Sequence, residues 1–145
     1  MKVKFKKLHP DAVTPSYAHS TDAAMDITAV SKEYNSEYDF TEYKSGLAFE
    51  LPPGHVGLLF PRSSISKKSF TLCNSVGVLD ENFRGDISFR FRETNHRCET
   101  YNVGDRIGQI MIIPRPQIEL EEVEELSTTE RGCGAYGSTN KKDTI

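Results

Sequence analysis

The chain has 145 residues, 18 basic and 21 acidic side chains, and a formal net charge of −3. That length fits one domain with a real core, and the balanced charge argues against a nucleic-acid binder. Three distant cysteines (Cys73, Cys98, Cys133) and four scattered histidines argue against a disulfide scaffold or a protein-built zinc site, and no apolar run approaches the roughly 20 residues that span a bilayer.

A reduced, cytoplasmic setting is therefore expected. The N-terminus has no long apolar core, so it does not read as a signal peptide.

In chain order, residues 3–8 read as a first strand. Lys2, Lys4, Lys6 and Lys7 cluster around Val3 and Phe5, and the ordinary reading is a solvated strand face. Residues 23–27 set one acid, Asp26, among small and apolar neighbours. Strands are expected at 46–51 and 56–60, divided by the turn Pro52-Pro53-Gly54. Residues 61–69 can hold one or two helical turns with Ser63 or Ser64 as cap. Arg62 with those two hydroxyls at a helix start favours an anion.

Residues 74–87 are the most informative stretch. They read as two strands, 75–79 and 86–91, folded about a tight polar turn. Asp80 ends the first strand and Phe83 opens the return. Ile87, Phe89 and Phe91 then alternate with Asp86, Ser88, Arg90 and Arg92. A further strand is expected at 107–113 after the turn Val103-Gly104-Asp105, with Gln109 facing outward. Residues 119–126 are rich in glutamate but sit among strand signals, and are expected to be extended. Many short strands and no repeat suggest an all-β barrel or jelly roll.

Residues 131–140 are Gly-rich and match G-x-G-x-x-G. Only eight residues follow Gly137, too few for the helix and strand that a dinucleotide fold requires. A plain tail is one reading. An arm that closes on phosphate through glycine-freed backbone amides is the other, and Arg131 and Tyr136 favour it. The expected division is a barrel over residues 1–129 and an arm over 130–145.

Singly, each of these features has an ordinary alternative. Asp26 or Asp80 could shape a turn, Arg62 could form a surface ion pair, and Asp105 and Arg106 could pair with each other. In order and spacing, the five segments resemble the five motifs of the dUTPase family, from about residue 23 to 140. The resemblance implies a distorted jelly-roll β-barrel with one short helix and a C-terminal arm. It implies hydrolysis of dUTP to dUMP and pyrophosphate with Mg²⁺, limiting uracil in DNA and supplying dUMP for thymidylate synthesis. It also implies a homotrimer whose sites are shared between subunits.

By that resemblance Asp80 activates the attacking water, and Phe83 stacks under the deoxyribose. Asn74, Gly77, Val78 and Leu79 serve the base and sugar, with Tyr136 stacking on uracil. Arg62, Ser63, Ser64, Gln109, Arg131, Gly137, Ser138 and Thr139 hold phosphate. Asp26 reaches the metal only through water. The chain departs from the usual family pattern at Ala24, Ser64, Phe83, Ala135, Tyr136 and Asn140. Rival readings are a dCTP deaminase of the same superfamily, a nucleotide-binding regulator on this fold, and a jelly-roll structural protein.

Overall fold

Alternating apolar residues drive strand formation along most of the chain. A computed structural model describes residues 1–94 and 99–135. Among them it contains ten strands and one 3₁₀ turn, Ser63–Lys67. β1 (Lys4–Lys7) and β5 (Leu47–Glu50) form a two-stranded ribbon. One four-stranded sheet runs β2 (Met25–Thr28), β10 (Arg106–Pro114), β6 (His55–Phe60), β8 (Gly77–Leu79). The other runs β3 (Ser31–Asn35), β4 (Phe40–Lys44), β9 (Ser88–Glu93), β7 (Phe70–Leu72). Every ladder is antiparallel. This is the expected jelly-roll-like, all-β architecture.

The core lies between the two larger sheets. Ile27, Ile107 and Ile110 enter from one side, and Tyr43, Phe89 and Phe91 from the other. Each large apolar side chain removed from water contributes about 1.5–3 kcal/mol. The sheets approach closely at Gly108, where the Phe89 ring fills the space a Cβ would take. Phe89 in turn stacks on Phe91, with centroids 6.2 Å apart and planes 8° from parallel.

All six expected strands are present. Four others, β2, β3, β4 and β7, were not expected. β3 and β4 carry mostly polar and charged residues because their outer face is solvated. Their turn has a legible signal: Asn35 Oδ1 accepts from the amides of Glu37 and Tyr38, at 3.1 and 3.0 Å.

Two local expectations need correction, and a third segment is defined by what it lacks. The strands at either end of residues 74–87 do not pair with each other. β8 joins β6, whereas β9 joins β4 and β7, so residues 80–87 cross between sheets. Their apolar partners lie in different sheets, and this overrides the local turn. The 3₁₀ turn is capped by Arg62 without a side-chain hydrogen bond, so neither Ser63 nor Ser64 is its cap. Residues 115–130 contain no helix or strand. Ile118, Leu120 and Leu126 are exposed there, so no packing partner in this chain imposes a period.

Candidate active site

The sheet β2-β10-β6-β8 carries polar chemistry in two separate places. On β10, Gly108 and Ile110 turn into the core, so Gln109 turns outward. Gln109 is paired with Phe60 of β6 on one side and Asp26 of β2 on the other. The chain leaving β6 then brings Arg62 and Ser63 over the same face. Asp26, Phe60, Arg62, Ser63 and Gln109 line a cleft of about 330 Å³.

Asp26 organises this cleft. Its Oδ1 accepts from Arg62 Nε at 2.7 Å and its Oδ2 from Arg106 Nη1 at 2.9 Å. The carboxylate is 16% exposed, so these charge-assisted bonds are only partly screened. Two guanidinium groups on one carboxylate leave a net positive charge, which suits a polyanion. Gln109 Nε2 donates to the Pro61 carbonyl at 3.3 Å, tying the Arg62 loop to β10. Arg106, expected at most to pair with Asp105, belongs to this cleft through its bond to Asp26. The acid it serves lies 80 positions away, and local spacing does not reveal such a pair.

The second cleft lies at β8, which ends its sheet. One edge of β8 pairs with β6, and among the described residues the other has no strand beside it. Leu59, Asn74, Gly77, Val78, Leu79, Asp80 and Phe83 line a pocket of about 190 Å³. Asp80 is exposed at the strand end. The turn after it is braced by its own backbone. Phe83 N–H donates to the Asp80 carbonyl at 3.1 Å. Arg84 Nη1 donates to the carbonyls of Glu81 and Phe83 at 2.7 and 2.8 Å. The Phe83 ring lies over Gly85, where an added Cβ would come 2.5 Å from Cζ. Gly85 thus gives the Phe83 ring its place beside the pocket, and the only sequence signal for it is an aromatic two positions before a glycine.

The two clefts share no lining residue: one lies over the outer face of β2, β10 and β6, and the other along the edge of β8, where Gly77, Val78 and Leu79 all line it. Within one chain, Asp80 and Phe83 are therefore not brought beside Asp26, Arg62, Ser63 and Gln109. Ser64 lines neither cleft and is half-buried. Arg131 lines neither as well. Its Nε donates to the Gly134 carbonyl at 3.0 Å, within a tight exposed turn where Gly132 has a φ of +50°. Tyr136, Gly137, Ser138 and Thr139 lie outside the described residues.

Among the described residues, no three His, Cys, Asp or Glu side chains gather as a metal cluster. Both Asp26 oxygens already accept a guanidinium, but each retains a further acceptor position. This donor set fits a hard ion that keeps its waters and takes its direct ligands from phosphate oxygens. No helix among the described residues is long and apolar enough to cross a membrane.

The dUTPase family model matches residues 11–140. A deoxyuridine 5′-triphosphate nucleotidohydrolase of Gloeothece citriformis (strain PCC 7424) is 37% identical over 142 residues, covering 96% of this chain and 97% of that protein. The enzyme of the same name from Nautilia profundicola is 37% identical over 144 residues, covering 97% and 100%. Among solved structures, the Staphylococcus bacteriophage 80alpha dUTPase G164S mutant with dUpNHpp aligns at a TM-score of 0.80 and 26% identity, covering 95% of this chain and 98% of that one.

Proposed function

Since the chain belongs to the dUTPase family, we propose that it hydrolyses dUTP to dUMP and pyrophosphate by attack of water on the α-phosphorus. The observation that carries this reading is the β8 cleft: an exposed carboxylate, a free backbone edge and one aromatic ring in a single pocket.

Asp80 accepts the proton of the attacking water and holds it in line with the α-phosphorus. The free edge of β8, over Gly77, Val78 and Leu79, reads uracil with backbone amides and carbonyls, supported by Asn74. Uracil presents acceptor, donor and acceptor. Cytosine changes that pattern and leaves buried groups unpaired, at about 1–3 kcal/mol each. Phe83, pressed on Gly85, stacks under the deoxyribose and leaves no space for a 2′-hydroxyl.

Arg62, Ser63 and Gln109 bind the triphosphate, and their donors favour charge as it develops on the leaving pyrophosphate. Ser64 supports this element from behind. Arg131, Gly137, Ser138 and Thr139 belong to an arm, residues 130–145, that closes over the phosphates while Tyr136 covers the base. Mg²⁺, when bound, neutralises triphosphate charge and fixes its geometry, with Asp26 contacting its waters.

Two clefts that share no residue within one chain support a site completed by another copy of the chain. A closed three-fold ring, each subunit lending its phosphate cleft to a neighbour's β8 pocket, satisfies all three copies at once. In the cytoplasm the reaction would limit uracil incorporation into DNA and supply dUMP for thymidylate synthesis.

Pyrophosphate release tests the reading, with Mg²⁺ and dUTP beside dCTP, dTTP and UTP. The expected result is turnover of dUTP alone, abolished in Asp80→Asn. Ammonia released from dCTP would instead identify a deaminase. No turnover of any nucleotide would leave a binding or regulatory role.

A further inference from the structure

Glu81 follows Asp80 in the chain, and its side chain is 37% exposed, yet its carboxylate is tied across the fold. Its Oε2 accepts from the Gly54 amide at 2.9 Å and lies 3.8 Å from Arg115 Nη2. The Gly54 carbonyl in turn accepts from the Arg115 amide at 2.7 Å. Gly54 belongs to the turn between β5 and β6, and Arg115 is the first residue after β10. Three segments distant in sequence therefore meet around one carboxylate.

The anchor at Gly54 is stiff. Pro52 and Pro53 precede it, and each ring fixes its own φ. Gly54 takes a φ of +72°, which glycine adopts without strain. The other end of the tie is the turn that carries Asp80. Asp80, Glu81, Asn82 and Arg115 line one open cleft, and Asp80 also lines the β8 pocket. Among the described residues the Asp80 carboxylate has no hydrogen-bond partner of its own, so its aim depends on the backbone of the turn. The later part of the turn is held separately. Arg84 Nη1 bonds the Glu81 and Phe83 carbonyls, and the Phe83 ring lies on Gly85.

We propose that Glu81 is a positioning residue for the hydrolysis: its hydrogen bond to the Gly54 amide clamps the turn so that the Asp80 carboxylate stays aimed at the attacking water. The inference rests on Asp80 being the group that activates this water. A general base works only within hydrogen-bond reach of its water, and a misplacement of about 1 Å can cost on the order of 100-fold in rate. A carboxylate that accepts from a backbone amide forms a short, charge-assisted bond with a defined direction. Arg115 Nη2 is too distant for a hydrogen bond, so the Gly54 amide is the contact that sets this direction. An exposed link of this kind adds little to stability, so the clamp serves position more than folding. Glu81 thereby assists the chemical step without touching substrate.

The test compares wild type, Glu81→Ala and Glu81→Gln. Steady-state kinetics with dUTP are measured beside dUpNHpp binding by calorimetry and thermal melting. Alanine removes the acceptor, and kcat should fall by about 10- to 100-fold. Affinity for dUpNHpp should stay within about twofold, because Phe83 and the β8 edge are held by other contacts. Melting should stay close to wild type. Glutamine keeps an oxygen for the Gly54 amide and should restore kcat to within about threefold of wild type. An unchanged kcat in Glu81→Ala would overturn the proposal alone. So would a joint fall of kcat, dUpNHpp affinity and melting point, which marks a general loss of structure. A Glu81→Gln protein as slow as Glu81→Ala would also overturn it, since the acceptor at Gly54 would then not be what matters. No turnover of dUTP by wild type would overturn the hydrolase reading beneath it as well.

Discussion

Gly108→Ala places one methyl group where the sheets have no room for it. A Cβ on Gly108 overlaps Cε1 and Cζ of Phe89 and comes within 2.8 Å of Cδ1. Phe89 is 1% exposed and stacked against Phe91, so the ring has little freedom to retreat. Overpacking of this kind costs about 1–3 kcal/mol. For 145 residues, at ~2.1 cal/mol/K per residue, the unfolding entropy is roughly 0.3 kcal/mol/K, so the melting point should fall by about 3–10 °C. The assay is thermal melting at fixed protein concentration, paired with the rescue variant Gly108→Ala/Phe89→Leu. Phe89→Leu alone should destabilise by leaving a void. Together the two should cost at least about 1 kcal/mol less than their sum, because the smaller side chain vacates the space the methyl needs. Wild-type melting in Gly108→Ala, or strict additivity in the pair, would refute this account of how the sheets meet.

Three further outcomes are expected. Gly85→Ala should push the Phe83 ring out of the β8 pocket and raise KM for dUTP by roughly tenfold with a smaller change in kcat, read from steady-state kinetics. Arg106→Ala should free Asp26 Oδ2. Arg106 is 54% exposed, so melting should report only about 0.5–1 kcal/mol, while KM rises several-fold as the Asp26 carboxylate that holds Arg62 loses its second anchor. Burial pushes the Tyr43 phenol up to about 12, with the Asp105 charge adding to the rise and hydrogen bonds at Thr100 and Tyr101 opposing it. Folding therefore favours the neutral phenol. Its contribution is complete below pH 10 and is lost as pH rises through 12, approaching about 2.7 kcal/mol at roughly 1.36 kcal/mol per pH unit. Urea midpoints at pH 8 and pH 11 should differ less in Tyr43→Phe than in wild type.

Much of the fold was legible because one-sided burial writes itself as alternation. β9 is the clearest case: Phe89 and Phe91 turn inward between exposed Arg90 and Arg92. The β3–β4 pair was not legible. Its outward residues are charged, and only Tyr43 is fully buried among them. Individual candidate residues were legible as types in order, and Asp80, Phe83, Arg62 and Gln109 each line one of the two clefts. What lay beyond the sequence was their division between an outer face and the free edge of one sheet. That depends on β8 pairing with β6 rather than with β9, a long-range choice made by burial of Leu79 against Gly57. The Arg62–Asp26–Arg106 cluster was hidden for the same reason, since its members come from three separate strands or loops.

The division of the site is the central claim, and subunit mixing tests it most directly. Asp80→Asn and Arg62→Ala should each be nearly inactive alone. Co-refolded in equal amounts, they should form mixed trimers in which about one quarter of sites combine an intact Asp80 with an intact neighbouring Arg62. Activity near a quarter of wild type is the predicted result. An inactive mixture, with mixed trimers demonstrated by mass spectrometry, would mean that both halves of the site come from the same chain.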